Sequence, residues 1–328
     1  MKAQVLAAFG DASHFQLTEV PKPAVRDGTL LIRLAATSVN SLDIKIREGG
    51  LAIAPVLPAI LGSDIAGTVE EVGAGVIGFA PGDEVYGCAG GVKGLGGTLA
   101  EYIVADARLI APKPKTLSMR EAAALPLVSI TAWQGLERAK TSPLDHVLIH
   151  GGTGGVGHVA LQLARVIGAR IATTIDRTED TELVRSLGAL EVVNFHEEKV
   201  EQYVDRLTAG RGFDVIFDTV GGKNLELSLA AAKSGGRIST TNARVTLDLT
   251  EAHSKGLSLY VIFMMLPLLE DTGRDGHGRI LRDVARLVDE GKLRPLLDQE
   301  QFTLNTAPDA QRRLQSGRAR GKVVISLR

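Results

Sequence analysis

The feature that most constrains this chain is a cluster of glycines set between two kinds of periodicity. His146-Val147-Leu148-Ile149-His150 reads as a short buried strand, and Val156 to Ile167 carries apolar residues at helical spacing. The join is Gly152-Thr153-Gly154-Gly155-Val156-Gly157, with glycines in the pattern G-x-G-x-x-G. Gly152 permits a tight turn, Gly154 leaves room for a ligand against the backbone, and Gly157 lets the helix pack closely on the strand. The helix start offers unpaired N–H groups and a partial positive charge, which suits a diphosphate. A second strand, Arg170 to Ile175, follows where a βαβ unit needs it, so the segment is expected to bind a dinucleotide.

The surrounding pattern extends that unit. A capping box at Ser118-Met119-Arg120-Glu121 opens a helix. Beyond the loop, a helix over 179–187 ends at Gly188. Strands over 191–194, 213–219 and 237–241 then alternate with helices over 200–207 and 224–232. Apolar strands alternating with helices predict a doubly wound parallel sheet covered on both faces. The region up to about Thr116 differs: short segments such as 30–35, 64–72, 83–86 and 99–104 are separated by glycine and proline, so it reads as β-rich. The stretch Gly87 to Gly97 is expected to be either a mobile loop or an irregular surface loop. Extended segments 301–304 and 322–327 are expected to return to the first domain. The predicted organisation is α/β: a β-rich domain from 1–117 and 267–328, and a dinucleotide-binding domain from 118–266.

Bulk properties exclude several classes. Lys plus Arg is 37 and Asp plus Glu is 38 over 328 residues, so no basic excess points to nucleic acid. The longest apolar run, Leu257 to Leu269, is interrupted by Ser258 and Pro267 and is shorter than the roughly 20 residues a membrane span needs. It is expected to be buried against protein. The N-terminal residues make a poor signal peptide, broken by Gln4 and Asp11. Cys88 is the single cysteine, so an internal disulfide and a cysteine-rich zinc site are both excluded, and a cytoplasmic location is expected.

Cofactor choice is read at the end of the second strand. Asp176 suits the free ribose hydroxyls of NAD(H), whereas the adjacent Arg177 suits the 2′-phosphate of NADP(H). Val220 and Asn242 follow later strands at the carboxyl ends, where ligands of such sheets bind. Tyr86, beside the glycine-rich stretch, can donate its hydroxyl to a substrate or pack as a buried aromatic.

The chain resembles the medium-chain dehydrogenase/reductase superfamily, and within it the zinc-independent quinone oxidoreductase (zeta-crystallin-like) branch. The likeness rests on Ser38-Val39-Asn40-Ser41-Leu42-Asp43, Leu61-Gly62-Ser63-Asp64-Ile65-Ala66-Gly67 and Gly82-Asp83-Glu84-Val85. Ala124-Leu125-Pro126-Leu127, Thr131-Ala132-Trp133 and the phosphate loop complete it. It implies a GroES-like substrate domain, a Rossmann cofactor domain, a cleft between them and a homodimer. Phe263 and Met264 are expected to line the substrate pocket or, in preference, the subunit interface. Where the family's alcohol dehydrogenases have zinc-binding cysteine and histidine, this chain has Asn40 and Ser63, so no metal is expected.

The resemblance further places Asn40 and Thr131 near the nicotinamide, and puts Lys45 where some quinone reductases have tyrosine. Lysine there can bind a carbonyl oxygen or donate a proton, or it can face solvent or pair with Asp43. The implied reaction is hydride transfer from reduced cofactor, NADP(H) before NAD(H), to quinones or α,β-unsaturated carbonyl compounds. The catalytic candidates are Asn40, Lys45 and Tyr86. Two alternatives stand beside it: a zinc-dependent alcohol dehydrogenase, and a non-enzymatic, crystallin-like or regulatory protein that binds NAD(P)H.

Overall fold

Two antiparallel strands, β1 (Lys2–Leu6) and β2 (Phe15–Glu19), pair from Lys2 opposite Glu19 to Leu6 opposite Phe15. The long strand β3 (Thr29–Val39) then runs through the centre of the N-terminal region, burying Leu30, Leu31, Ile32, Leu34 and Ala36. A short helix, α1 (Ser41–Glu48), leaves its end. Next come β4 (Ala59–Ile60), β5 (Asp64–Val72), β6 (Glu84–Cys88), β7 (Tyr102–Asp106) and β8 (Ile110–Pro112). Helix α2 (Met119–Ala123) starts at the anticipated capping box: Ser118 N–H donates to Glu121 Oε2 at 2.8 Å, and Glu121 N–H donates back to Ser118 Oγ at 3.3 Å. Helix α3 spans Pro126–Arg138.

Strand and helix then alternate: β9 (His146–His150), α4 (Gly155–Ile167), β10 (Arg170–Ile175), α5 (Thr181–Leu187), β11 (Glu191–Asn194), α6 (Val200–Thr208), β12 (Phe213–Asp218), α7 (Asn224–Ala231), β13 (Ala232–Thr240), α8 (Thr250–Lys255) and β14 (Ser258–Val261). The chain closes with α9 (Leu266–Glu270), α10 (Arg274–Asp289), β15 (Phe302–Thr303), α11 (Ala307–Gln315) and β16 (Val323–Ser326).

The computed structural model describes residues 1–49 and 51–327. It separates into two units, Met1–Ile130 with Met265–Arg328, and Thr131–Met264. The first boundary thus falls inside α3 rather than at 117, because α2 packs on β3 and β5 of the first unit. The second falls at 264/265 instead of 266/267.

In the first unit the described strands form a three-stranded sheet, β2-β1-β4, and a larger sheet ordered β15-β16-β3-β5-β6-β8, with β7 also on β3. The C-terminal β16 lies antiparallel beside β3, with Val323 opposite Val39. The stretch after β6 is irregular, as turns and bends without a helix or strand, but most of it is buried. A side chain at Gly97 would come within 2.1 Å of the Ile60 carbonyl oxygen, and one at Gly90 within 2.3 Å of that of Gly96. These glycines permit close backbone packing, and only the tip at Lys93, Gly94 and Gly96 is exposed.

In the second unit the described strands form one parallel sheet ordered β11-β10-β9-β12-β13-β14. This is the Rossmann order, with the chain starting at the centre and reversing direction beside β9. Leu148, Ala172, Val193, Phe213, Ile216 and Ile238 from the strands pack with Tyr203, Leu225 and Leu229 from the helices. Strand β14 forms the sheet's edge. Here the apolar run is not wholly buried: Leu259, Val261, Phe263 and Leu266 are exposed, while Ile262, Met264, Met265 and Leu268 are buried. Alternation in an extended segment sends neighbouring side chains to opposite faces.

Candidate functional site

In the second unit the glycine loop closes the turn from β9 into α4. It is tied to the neighbouring strand: Gly151 N–H donates to Thr174 Oγ1 at 3.0 Å, and Gly152 N–H to the Thr174 carbonyl at 3.1 Å. A side chain at Gly157 would lie 2.0 Å from the Gly151 oxygen, and one at Gly152 would lie 2.4 Å from Thr173 Oγ1. At both positions only glycine allows strand and helix to meet. Gly154 differs, since an added Cβ would approach only the Gly151 oxygen, at 3.2 Å. The space beyond it is open to a ligand. The first donor committed inside α4 is His158 N–H, to the Gly154 carbonyl. Helix geometry therefore leaves the N–H groups of Gly155, Val156 and Gly157 without intrahelical partners. With half-exposed Thr153, they form a cradle that fits a diphosphate.

The other candidates on this unit gather at the same carboxyl edge. Asp176 and Arg177 follow β10 directly, with Arg177 Nε 3.7 Å from Asp176 Oδ2. Val220 follows β12 and is exposed. Its turn is held by Asp218, whose Oδ1 accepts from Val220 N–H at 3.1 Å, Gly221 N–H at 2.8 Å and Asn224 Nδ2 at 2.9 Å. Gly222 N–H donates to the Asn242 carbonyl at 2.9 Å, which brings the turns after β12 and β13 together. Thr131 is buried on α3. Sequence reading missed Asp218 and His150. Both are buried at the ends of neighbouring strands, in register with each other. Burial pulls the His150 pKa below its ordinary value. The available signal was a charged residue ending an apolar strand.

In the first unit Asn40 caps α1 and is buried. Its backbone N–H donates to Asp43 Oδ2 at 2.8 Å, and its side-chain Nδ2 donates to Asp64 Oδ2 at 2.8 Å. The ammonium of Lys322 donates to Asn40 Oδ1 and, at 2.9 Å, to the Val39 carbonyl. It also lies 3.6 Å from Asp64 Oδ2. Asp64 further accepts from Ser38 Oγ at 2.5 Å and from Leu127 N–H at 2.8 Å. Burial, outweighing the neighbouring carboxylates, depresses the Lys322 pKa, and burial pushes that of Asp43 up to about 7. Neither Asp64 nor Lys322 was marked as functional from sequence. Lys322 looked only like the first residue of a terminal strand.

Two expectations need revision in this unit. Tyr86 is fully buried on β6, and its hydroxyl donates to the Leu281 carbonyl on α10 at 2.5 Å. That hydroxyl is committed to the fold and is not presented to a substrate. Lys45 is exposed on α1, while Asp43 points into the interior to bind Asn40, so these two do not pair. Cys88 is buried, and burial raises its thiol pKa. No group of three or more His, Cys, Asp or Glu among the described residues is placed to hold a metal.

Residues 26–115 match the family described as the alcohol dehydrogenase GroES-like domain, and 187–325 match one described as zinc-binding dehydrogenase. An Arabidopsis thaliana protein named as a chloroplastic NADPH-dependent alkenal/one oxidoreductase is 32% identical, over 99% of this chain and 79% of its own length. The chain belongs to the medium-chain dehydrogenase/reductase superfamily, in its quinone oxidoreductase branch. Among solved structures, an alcohol dehydrogenase superfamily protein from Novosphingobium aromaticivorans is 40% identical, with TM-score 0.95 over 100% of both chains. The quinone oxidoreductase from Coxiella burnetii is 32% identical, with TM-score 0.86 over 100% of this chain and 99% of that one.

Proposed function

We propose that this protein passes hydride from a reduced nicotinamide dinucleotide to quinones or to the β-carbon of α,β-unsaturated carbonyl compounds, without a metal. The cradle at Gly151–Gly157 carries the reading, because its close approaches exclude side chains on the protein side and leave open the side a diphosphate would occupy. Relatives named for alkenal/one and quinone reduction support the substrate class. The bound reduced nicotinamide supplies the hydride. Negative charge then develops on the substrate's carbonyl oxygen, and a donor at that oxygen lowers the barrier; a proton from water or a side chain completes the reduction, at the α-carbon of an enone or on oxygen of a quinone. We assign donation to Asn40, with Lys45, exposed on α1, as a second candidate donor. The test is oxidation of reduced cofactor across a panel of quinones and enones. No turnover with any of them overturns the reading. Stoichiometric zinc by elemental analysis would restore the alcohol dehydrogenase alternative.

NADP(H) is the proposed cofactor, with Arg177 turning from Asp176 to the 2′-phosphate. A relative named as NADPH-dependent supports this. Fluorescence titration is expected to give tighter binding of NADPH than NADH, and Arg177→Ala should remove the difference. Tighter NADH binding would reverse the cofactor assignment and leave the hydride chemistry standing. A homodimer is proposed through the free edge of β14, where Leu259, Val261 and Phe263 are exposed; Met264 is buried and is not part of that face. Val261→Lys should then convert a dimer to a monomer in sedimentation velocity. The one, buried cysteine is consistent with a reducing, cytoplasmic setting.

A further inference from the structure

Asn40 sits between two groups of opposite character. An ammonium can only donate and a carboxylate can only accept, whereas a primary amide has one end of each kind. With Lys322 on one side and Asp64 on the other, the amide has one satisfactory orientation: carbonyl oxygen toward Lys322, nitrogen toward Asp64. Turning it over would set oxygen against carboxylate and N–H against ammonium, losing two charge-assisted hydrogen bonds in a buried site. The partners are themselves fixed. Lys322 is tied to the Val39 carbonyl, and Asp64 is held by Ser38 and by Leu127 N–H. All three side chains are at most 4% exposed. Nδ2 carries two hydrogens, and only one is used among the described residues.

We infer that Lys322 and Asp64 are positioning residues that lock the Asn40 amide so that its second N–H is a fixed donor to an uncharged acceptor oxygen of the bound ligand. The inference rests on the reductase reading only for the identity of that oxygen, which is a substrate carbonyl or a cofactor hydroxyl. The same lock turns the Asn40 oxygen to Lys322, so the side facing away from that ammonium is the N–H side.

The test uses the whole protein with isotopically labelled asparagine. The chain has five asparagines, and the Asn40 side-chain signals are those lost in Asn40→Ala. In the wild type, one Asn40 amide proton should be protected from exchange by Asp64, and the other should shift on ligand addition. A shift with reduced cofactor alone assigns the oxygen to the cofactor; a shift that needs a ketone or quinone assigns it to substrate. Equal, rapid exchange of both protons overturns the lock, and no shift with either ligand overturns the donor role.

The kinetic arm uses Lys322→Gln with Asp64→Asn, which removes both charges together and avoids a lone buried ion. This double variant should lower kcat on the order of tenfold through misplacement of the donor. In an Asn40→Ala background the same pair should change kcat by less than about twofold, because residues acting through one group are not additive. Multiplying losses would show a merely structural role and overturn the inference. Absence of wild-type turnover would count against the reductase reading, while the amide spectra would still decide the lock.

Discussion

Replacing Asp43 by asparagine should change how stability depends on pH. The carboxyl is 2% exposed; its Oδ2 accepts the Asn40 N–H at 2.8 Å, and its Oδ1 has no partner among the described residues. Burial raises its pKa from 3.8 to about 7. The folded chain therefore holds this proton more tightly than the unfolded chain does. Between about pH 4 and 7 the folded state binds more protons, so stability falls as pH rises through that window. At about 1.4 kcal/mol per unit, a gap of about three units corresponds to at most about 4 kcal/mol lost by pH 8. An amide keeps an acceptor for the Asn40 N–H and cannot ionise. Asp43→Asn should thus exceed the wild type by about 1.5–2 kcal/mol at pH 5 and by up to about 4 kcal/mol at pH 8. The single tryptophan, Trp133, lies in the second unit. The assay is therefore urea unfolding by far-UV circular dichroism, with hydrogen exchange of the peptide covering α1. A wild-type minus variant difference that stays flat from pH 5 to 8 refutes the reasoning.

His277 should act in the opposite sense. Burial lowers its pKa to about 4, and neither ring nitrogen has a partner among the described residues. Its contribution is lost as pH falls from about 6.5 to 4, by up to about 3 kcal/mol; His277→Leu should flatten acid unfolding, and an unchanged acid midpoint would count against this. Gly157→Ala should destabilise the second unit and abolish cofactor binding, because its Cβ would sit 2.0 Å from the Gly151 oxygen. Gly154→Ala should weaken cofactor binding about tenfold or more with a melting temperature close to wild type, since only the ligand's space is filled; fluorescence titration and calorimetry separate the two. Tyr86→Phe should cost about 1 kcal/mol in stability, for the lost bond to Leu281, and leave kcat unchanged. A large kcat loss at full folding would return Tyr86 to the active site.

What could be read without coordinates follows from how local each cause is. The phosphate loop was legible because turn, close approach and helix start all lie within Gly151–Gly157, and the alternation after it set the parallel sheet. Asp176, Val220 and Asn242 were legible as strand ends. The lock on Asn40 was not, because Asp64 and Lys322 come from distant parts of the chain and meet only through the pairing of β3 with β5 and β16. Tyr86 misled for the same reason, since its partner Leu281 lies on a helix far along the sequence. The run after Gly256 misled through composition: apolar content does not reveal that alternate residues of an edge strand face outward.

The antiparallel pairing of β16 with β3 also sets an order of assembly during synthesis. Residues 131–264 are contiguous, so the second unit has its whole sheet in hand while the chain is still being made. The first unit begins earlier and finishes later. The end of its long central strand, Ala36 to Val39, waits for its β16 partner while β7 already covers Thr29 to Arg33, and Asp64 waits without its cation, until Lys322 and the residues after it leave the ribosome. A ribosome stalled before that point would therefore display a folded dinucleotide module and an unfinished β-rich one, with the Ala36–Val39 end of β3 available for wrong pairing.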